Sequence, residues 1–508
     1  MSSEDMITAW WLLCLAFVPI LYLRWRRSLP FPPGPRKLPL IGNLLVMPSY
    51  CQWEVYAQWS KELDSDIIHL AVPGASIIIL SSIEAAKDLL DKRSAIYSDR
   101  PRLAMFHDLM GGDMFFGFGQ YGNIWRTHRR LSHRALDGAA ANRFQPQTLK
   151  AAHDLLRRLL EKPEAFAEHF DHVVGANMIS VAYGLDVAPS GDPFLDAGDA
   201  VLDILQETLI PGRFLVNTIP ILRYVPSWVP GAGFKRQAAQ WKKEMEEHVD
   251  QPFQAAKRNM NDGLIRPSFT MDNLRSLDGS ADDDAREEDI KNVAGSIYAA
   301  GKDTTRFALR VFVRGILENP EAQKKAQEEI DAVVRPGHLP DFADEADLPW
   351  VTACVKETLR WWPILPLGLT RFIGVEDVYR GYRIPAGSYV MPNAWAMLQD
   401  ETVYPDPEAF KPERFLLDGK LNPAVRDPDA SFGFGRRVCA GKDMAWNTLW
   451  ITVASMLATF EISKATTENG EVIEPPPGHT SEILDCPLPF ECSIKPRSKA
   501  AEELIRAI

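Results

Sequence analysis

The chain contains few cysteines for its length: six in 508 residues. They lie at positions 14, 51, 354, 439, 486 and 492, and no two of them have the CxxC spacing. This scarcity argues against a disulfide framework and against a structural zinc site built from paired cysteines. The sequence also lacks any Asn-x-Ser/Thr acceptor for glycosylation. Both absences favour a protein whose body lies in a reducing compartment.

Basic residues are also in the minority, since 56 Lys and Arg face 68 Asp and Glu, giving a formal net charge of −12. This balance argues against a general nucleic-acid-binding surface. The sequence has no internal repeat, and it has no GxGxxG after a predicted strand to indicate a flavin or nicotinamide domain. Hydrophobic residues make up 46% of the chain, enough for a large globular core.

Charged residues are absent from residues 7–23, an apolar stretch of 17 residues near the N-terminus. Glu4 and Asp5 precede this stretch, while Arg24, Arg26 and Arg27 follow it. A cleaved signal peptide is the alternative, but it would carry its basic residues before the apolar stretch. The observed order instead predicts a membrane anchor in residues 1–28 with the body in the cytosol. Residues 29–50 are predicted to form a proline-rich hinge, and residues 51–508 the catalytic domain.

The body is predicted to be mainly α with a small β part, an α+β fold. Residues 66–72 and 76–80 read as two strands around a Pro-Gly turn, and most of residues 82–319 read as helices. A long apolar helix is expected near residues 287–317. Past residue 371 the pattern changes to short strands and turns.

Residues 431–446, SFGFGRRVCAGKDMAW, place Cys439 between a glycine-rich loop and the expected start of a helix. Gly433 and Gly435 would allow the backbone to approach the sulfur closely, and a helix N-terminus favours a thiolate. No second Cys or His follows at ligand spacing, so Cys439 would be the single protein ligand of its metal. Haem is the metal group that needs only one, because the porphyrin supplies four. The competing interpretation is a packed, unreactive cysteine.

These residues resemble the FxxGxRxCxG haem-binding signature of the cytochrome P450 family, particularly its fungal microsomal members. Further matches follow the family's order along the chain: residues 32–35 (PPGP), 125–129 (WRTHR), 300–305 (AGKDTT), 357–360 (ETLR) and 412–415 (PERF). The resemblance extends from the predicted anchor to about residue 496. It implies the cytochrome P450 fold, with haem b held between the long I helix and the Cys439 loop.

The resemblance also implies roles for individual residues. Cys439 would be the axial thiolate ligand of the iron, and Asp303 and Thr304 would deliver protons during oxygen activation. The remaining cofactor-binding residues implied are Trp125, Arg129, Arg437, Arg371, Phe432, Gly433 and Gly301. Arg371 stands where many fungal members have a histidine. Glu357, Arg360 and Arg414 would form a structural ion network behind the Cys439 loop.

Two segments and one residue have alternative interpretations. Lys302 either points away from the haem, which we favour, or reaches a substrate carboxylate. The basic residues 125–134 form either a solvated helix face or a docking site for a reductase. The apolar, proline-broken residues 210–231 form either core or, as we favour, a substrate-access lid at the membrane.

The resemblance implies a monooxygenase of the endoplasmic reticulum membrane, supplied with NADPH-derived electrons by cytochrome P450 reductase, with cytochrome b5 as a second candidate donor. Its pocket walls would come from residues 102–119, 205–214, 296–304, 364–369 and 479–483, which favour a hydrophobic terpenoid, polyketide or aromatic substrate or a xenobiotic. A haem-thiolate isomerase, dehydratase or peroxygenase and a non-catalytic haem sensor are the alternatives. The intact Asp303-Thr304 pair counts against them.

Overall fold

The computed structural model describes residues 29–508, except positions 211 and 265. The expected mainly helical architecture with a small β part is confirmed. The longer α-helices are α1 (Gln52–Glu62), α4 (Asn123–Leu136), α5 (Gln145–Glu161), α6 (Phe166–Tyr183), α7 (Pro193–Leu209), α9 (Gly233–Asn261), α11 (Asp283–Glu318), α12 (Pro320–Val333), α13 (Pro349–Trp361), α15 (Lys442–Thr459) and α16 (Lys499–Ala507). The short ones are α2 (Ile83–Ala86), α3 (Ser94–Tyr97), α8 (Leu215–Thr218), α10 (Phe269–Leu274) and α14 (Ala394–Leu398).

The strands are β1 (Ile67–Val72), β2 (Ala75–Leu80), β3 (Arg371–Ile373), β4 (Asp377–Tyr379), β5 (Tyr382–Ile384), β6 (Ser388–Pro392), β7 (Leu416–Leu417), β8 (Lys420–Leu421), β9 (Phe460–Lys464) and β10 (Cys492–Pro496). One sheet has four strands in the order β1-β2-β6-β3, and β2 pairs in parallel with β6. The remaining strands form three antiparallel pairs.

Helix α11 is the centre of the fold, as its apolar sequence predicts. It is 36 residues long and packs against α4, α6, α7, α9, α10, α13 and α15. Asn319 ends the helix and caps the next one, because its side-chain oxygen accepts the backbone N–H of Ala322 and Pro320 occupies the first turn of α12. The C-terminal half of α11 joins the largest hydrophobic core, together with α6, α13 and α15.

The proline-rich segment is fixed to the first strand of the sheet. The backbone N–H of His69 donates to the Pro33 carbonyl at 2.9 Å, and the side chain of Asn43 accepts the N–H of Ala71 at 2.9 Å. Within the part of the chain that is described, no helix combines the length and apolar character needed to cross a bilayer. The predicted anchor in residues 1–28 lies outside the described residues.

Candidate active site

The Cys439 loop is a closed turn that leads into α15. The backbone N–H of Cys439 donates to the Phe432 carbonyl at 2.8 Å, so the two ends of the loop are joined. Gly433 has φ 78° and ψ −164°, a conformation essentially restricted to glycine. Gly435 has φ 59°, and a Cβ there would clash with the Leu90 carbonyl oxygen. Both glycines are therefore required by the backbone path, as the sequence indicated.

The sulfur of Cys439 faces an internal space. The side chain is exposed, yet the protein surrounding it is dense enough that burial raises the pKa of the thiol. The backbone N–H of Gly441 and the nearby guanidinium of Arg129 act in the opposite direction and stabilise the thiolate. Arg129 is itself fixed to the loop, since it donates to the Val438 carbonyl at 2.7 Å. This environment suits a metal-binding thiolate better than a packed, inert cysteine.

A cluster of buried arginines lies beside the loop. Arg437 donates to the carbonyls of Ser98 and Gly119 at 2.8 Å and stacks over Trp125, with its guanidinium 4.3 Å from the ring centroid. Arg371 donates to the Phe434 carbonyl at 2.9 Å. The structure thus brings Trp125, Arg371 and Arg437, which are far apart in sequence, next to the Cys439 loop.

Arg100 is a member of this cluster that sequence reasoning missed. It donates to the carbonyls of Gly117, Leu369 and Thr370. Its pKa is lowered by burial and then by the charges of Arg371 and Arg437. No motif marked this residue, because Asp99 and Arg102 flank it and nothing in the sequence separates it from ordinary surface charges.

The arginine cluster fits the two propionates of a haem. Burial lowers the pKa of Arg371 to about 9 and that of Arg437 to about 10, and neighbouring guanidiniums add to both effects. Among the described residues, Arg100, Arg129, Arg371 and Arg437 make no ion pair with a carboxylate, and Arg371 Nε makes no hydrogen bond. Buried cations need anionic partners, and carboxylates that approach from outside the chain would supply them. Together with a single accessible thiol, this donor set matches haem b with Cys439 as axial ligand.

The middle of α11 opens towards an internal space on one side. Ala300 is exposed and Thr304 is partly exposed, although the helix is surrounded by other elements. The hydroxyl of Thr304 donates to the Ala300 carbonyl at 2.8 Å, the back-bonding expected of a threonine within a helix. Thr304 is therefore positioned one turn from an accessible backbone carbonyl, where a hydroxyl can pass a proton onward.

Gly301 has a different environment from the one expected. A Cβ at this position would lie 2.5 Å from Met178 Sδ on α6. The glycine therefore permits the close approach of α11 to α6, while Ala300 and Thr304, four residues apart, share the open face. A contact of the Gly301 backbone with the cofactor remains a prediction.

Asp303 lies in a charged network on a different side of α11. It is 4% exposed, and its Oδ1 lies 2.9 Å from Arg306 Nε. Arg306 also pairs with Asp171 of α6 at 2.9 Å. Burial raises the pKa of Asp303 to about 6, against the opposing effects of Arg306 and Lys302. A carboxyl group that titrates near neutral pH is suited to accepting and releasing protons.

Lys302 extends away from the open face of α11, as we favoured. Its ammonium group pairs with Asp199 of α7 and lies 3.3 Å from the Leu195 carbonyl. Asp199 is about half exposed, whereas Lys302 is buried. The Lys302–Asp199 pair therefore connects the charged network around Asp303 with the protein surface.

The ExxR network is present and fully buried. Glu357 and Arg360 are both 0% exposed, and Arg360 donates to the two carboxylate oxygens at 2.7 and 2.8 Å. Arg414 Nε lies 3.1 Å from both oxygens, and the Lys411 backbone N–H donates at 2.7 Å. Ser431, at the start of the Cys439 segment, donates to the Leu359 carbonyl at 2.7 Å. The network thus supports the loop from behind.

Parts of the predicted pocket walls pack against α11. One apolar cluster joins residues from the 102–119 segment, from residues 205–214 and from α11; its members include Met105, Phe106, Phe115, Phe214, Leu205 and Ala299. A second cluster brings Ile364 and Leu484 next to Phe307 of α11. Segments separated by hundreds of residues therefore pack against α11 in two apolar clusters.

Two surface features match the predicted docking and lid segments. On α4, the outer face exposes Arg126, Arg130, His133 and Arg134, while Trp125 and His128 face inward. In residues 210–231, large apolar side chains are exposed: Ile210, Leu215, Ile219, Ile221, Tyr224 and Trp228. Most of these are more than half exposed, so the segment is not ordinary core.

Comparison with known proteins places these features in a family. Residues 32–489 match the family model "Cytochrome P450". The chain is 44% identical over 478 residues to cytochrome P450 monooxygenase ple1 of Rhodocybe pseudopiperita, covering 94% of this chain and 91% of the relative. It is 44% identical to cytochrome P450 monooxygenase 98 of Postia placenta, covering 96% of this chain and 94% of the relative. It is 39% identical to the tryptamine 4-monooxygenase of Psilocybe cyanescens, covering 96% of both chains.

The family match covers nearly the whole chain and includes the Cys439 loop, the ExxR network and the centre of α11. The chain belongs to the cytochrome P450 family. It is accordingly an oxidoreductase, a haem-thiolate monooxygenase similar to monooxygenases of several fungi.

Proposed function

We propose that this monooxygenase hydroxylates or epoxidises a hydrophobic secondary metabolite at the endoplasmic reticulum membrane, with electrons from NADPH delivered by cytochrome P450 reductase. The observation that carries the proposal is the accessible Cys439 thiol beside buried arginines that lack carboxylate partners. Haem, when bound there, supplies the oxygen-activating chemistry. The chain's own residues hold the cofactor, exclude bulk water and move protons.

The proton-handling roles are assigned to Asp303 and Thr304. Asp303 can exchange protons near neutral pH, and the Lys302–Asp199 pair leads from its network to the surface. Thr304 presents its hydroxyl beside the open face of α11. Asp303 would take up protons on the charged side of α11, and Thr304 would present a hydroxyl on its open face. A peroxygenase or isomerase needs no such pair of proton-handling groups.

The substrate class follows from the apolar clusters around α11. Phenylalanine and methionine side chains dominate the wall from residues 102–119, and they favour an aromatic or terpenoid skeleton over a strongly charged one. The tryptamine 4-monooxygenase relative makes indole compounds a specific candidate class. The exposed apolar side chains of residues 210–231 support entry of such a substrate from the lipid phase.

The exposed basic face of α4 supports docking of an acidic reductase. Arg126, Arg130 and Arg134 project from the helix whose buried side carries Trp125. A partner attracted to these charges would approach the side of the molecule on which the Cys439 loop lies. Reversing the three charges to glutamate should slow reductase-driven turnover and abolish its salt dependence. Peroxide-supported turnover should be unaffected, because it needs no partner.

The test of the proposed chemistry uses the holoenzyme in microsomes. Ferric protein is titrated with indole amines, sesquiterpenes and phenolic polyketides, and the spin-state change in the haem spectrum is followed. A saturable change with one scaffold, followed by an oxygenated product with NADPH and reductase, would support the proposal. Cys439→Ser should lose the thiolate spectrum, whereas Cys492→Ser, at a cysteine on β10, should keep it. A normal thiolate spectrum in Cys439→Ser would contradict the proposal.

A further inference from the structure

A second cluster of metal-ligating side chains lies well away from the Cys439 loop in sequence. Cys51 immediately precedes α1, Glu54 lies in its first turn, and His479 belongs to the segment between β9 and β10. One ligand atom from each of the three residues lies within 4.8 Å of the other two. Cys51 is 5% exposed, while Glu54 and His479 are partly exposed, so the cluster can be reached from solvent.

Asp485 fixes the orientation and the tautomer of His479. His479 Nδ1 lies 2.6 Å from Asp485 Oδ2, which also accepts Trp362 Nε1–H at 2.6 Å. The other oxygen of Asp485 accepts the backbone N–H of Ser481 at 3.1 Å. Because Asp485 acts as an acceptor throughout, Nδ1 carries a proton, which leaves Nε2 as the ring nitrogen available to a cation. A carboxylate–histidine pair of this kind is the usual outer support of a metal-bound imidazole.

His479 Nε2 faces another acceptor. Glu54 Oε1 lies 3.5 Å from it, so two electron-rich atoms confront each other unless a proton or a metal cation lies between them. A divalent cation placed between these atoms would attract all three donors, and the thiol proton would leave to solvent.

We propose that Cys51, Glu54 and His479 form a binding site for a divalent transition-metal ion of the zinc type. One sulfur, one imidazole nitrogen and one carboxylate oxygen match the ligand preferences of zinc, and water completes a tetrahedral shell. Zinc ligands at about 2.0–2.3 Å lie about 3.3–3.8 Å from one another, so the three side chains close inward by about 1 Å.

The bound ion ties α1 to the segment that borders the predicted pocket. Tyr50 and Cys51 already contact that segment, since the Tyr50 hydroxyl donates to the His479 carbonyl at 3.0 Å and the Cys51 N–H donates to Ser481 Oγ at 2.7 Å. The segment continues to Cys486, which packs against Phe307 of α11. The ion therefore stiffens a link between the N-terminal part of the described chain and the apolar cluster that packs against Phe307 of α11.

The test measures zinc binding to the complete holoprotein. Chelator-treated protein is equilibrated with zinc, and the bound metal is counted by mass spectrometry. We expect the unmutated protein to bind one equivalent of zinc tightly. Cys51→Ser, Glu54→Gln and His479→Gln should each weaken binding by at least about 100-fold, more than the loss of an outer partner usually does. Cys492→Ser and His338→Gln are matched controls that should leave binding unchanged.

The haem spectrum of each variant serves as the folding control. Should a variant fail to fold, X-ray absorption at the zinc edge of the unmutated holoprotein decides the matter. We expect one sulfur at about 2.3 Å and nitrogen or oxygen neighbours at about 2.0–2.1 Å. A shell without sulfur, no tight equivalent in the parent, or equal affinity in parent and site variants would overturn the proposal, leaving an imidazolium–carboxylate pair as the explanation of the cluster.

Discussion

Replacing Arg371 with methionine should have opposite effects on the haem-free and haem-bound protein. Arg371 is 4% exposed, and burial together with the charge of Arg437 lowers its pKa to about 9. At about 1.4 kcal/mol for each pH unit, the charged guanidinium destabilises the haem-free fold by up to about 5 kcal/mol. Methionine fills similar space without the charge, so the haem-free variant should gain part of this free energy.

The haem-bound protein should instead be harmed. With haem in place, a propionate would compensate the Arg371 charge, and methionine cannot supply that charge-assisted hydrogen bond. We expect faster haem loss to a scavenging apoglobin, together with a higher urea midpoint for the haem-free protein. Arg383→Met is the matched control, because Arg383 lies on β5, is partly exposed and pairs with Glu376.

The pH dependence of the stability of the haem-free protein tests the assignment of Arg371 independently. The folded pKa of Arg371 lies below the unfolded one, so its destabilising effect is complete below about pH 9 and is lost as the pH rises above that value. The stability difference between the haem-free parent and Arg371→Met should therefore shrink above about pH 9. Equal haem retention in the two proteins, or a lower stability of the haem-free variant, would refute the assignment of Arg371 to a propionate.

Three further changes test other parts of the structure. Glu357→Gln leaves the buried Arg360 without its carboxylate, so chemical denaturation should show a free energy of unfolding lower by about 3–5 kcal/mol. A loss below about 1 kcal/mol would contradict the structural role of the Glu357–Arg360 ion pair. Gly301→Leu should destabilise by about 1–3 kcal/mol through contact with Met178, whereas Gly301→Ala should be nearly neutral because the thioether can move aside. Burial raises the pKa of Asp303 in the folded protein from 3.8 to about 6, so its ionisation lowers the free energy of unfolding by about 3 kcal/mol as the pH rises from about 4 to 6. In a pH series of unfolding experiments, Asp303→Asn should lack that slope. An unchanged slope would argue against burial of Asp303 as its cause.

The features that sequence reasoning predicted well are those fixed over short stretches of chain. The Cys439 loop and the Glu357–Arg360 pair depend on residues a few positions apart, whose geometry the backbone dictates. The first two strands also matched, since a Pro-Gly turn separates two runs of β-branched residues.

The features that were missed depend on distant partners. Arg100 belongs to the arginine cluster because the carbonyls of Leu369 and Thr370 approach it from the other end of the chain. The environment of Gly301 depends on which neighbouring helix covers each side of α11, and helical periodicity does not specify this. The partner of Lys302 was likewise unknown, although its direction away from the open face was correctly favoured.

The order of strands in the main sheet has a consequence for synthesis of the chain. Strand β2 pairs on one side with the adjacent β1. On the other side it pairs with β6, where Ile78 lies opposite Val390, a residue about 300 positions further along the chain. At about 5–20 residues per second, a ribosome needs roughly 15–60 s to make the missing strand. During that time the apolar segment Ser76–Leu80 presents an open hydrogen-bonding edge, which is a template for aggregation. Production of this protein should therefore depend on chaperones that cover the N-terminal hairpin until β6 emerges.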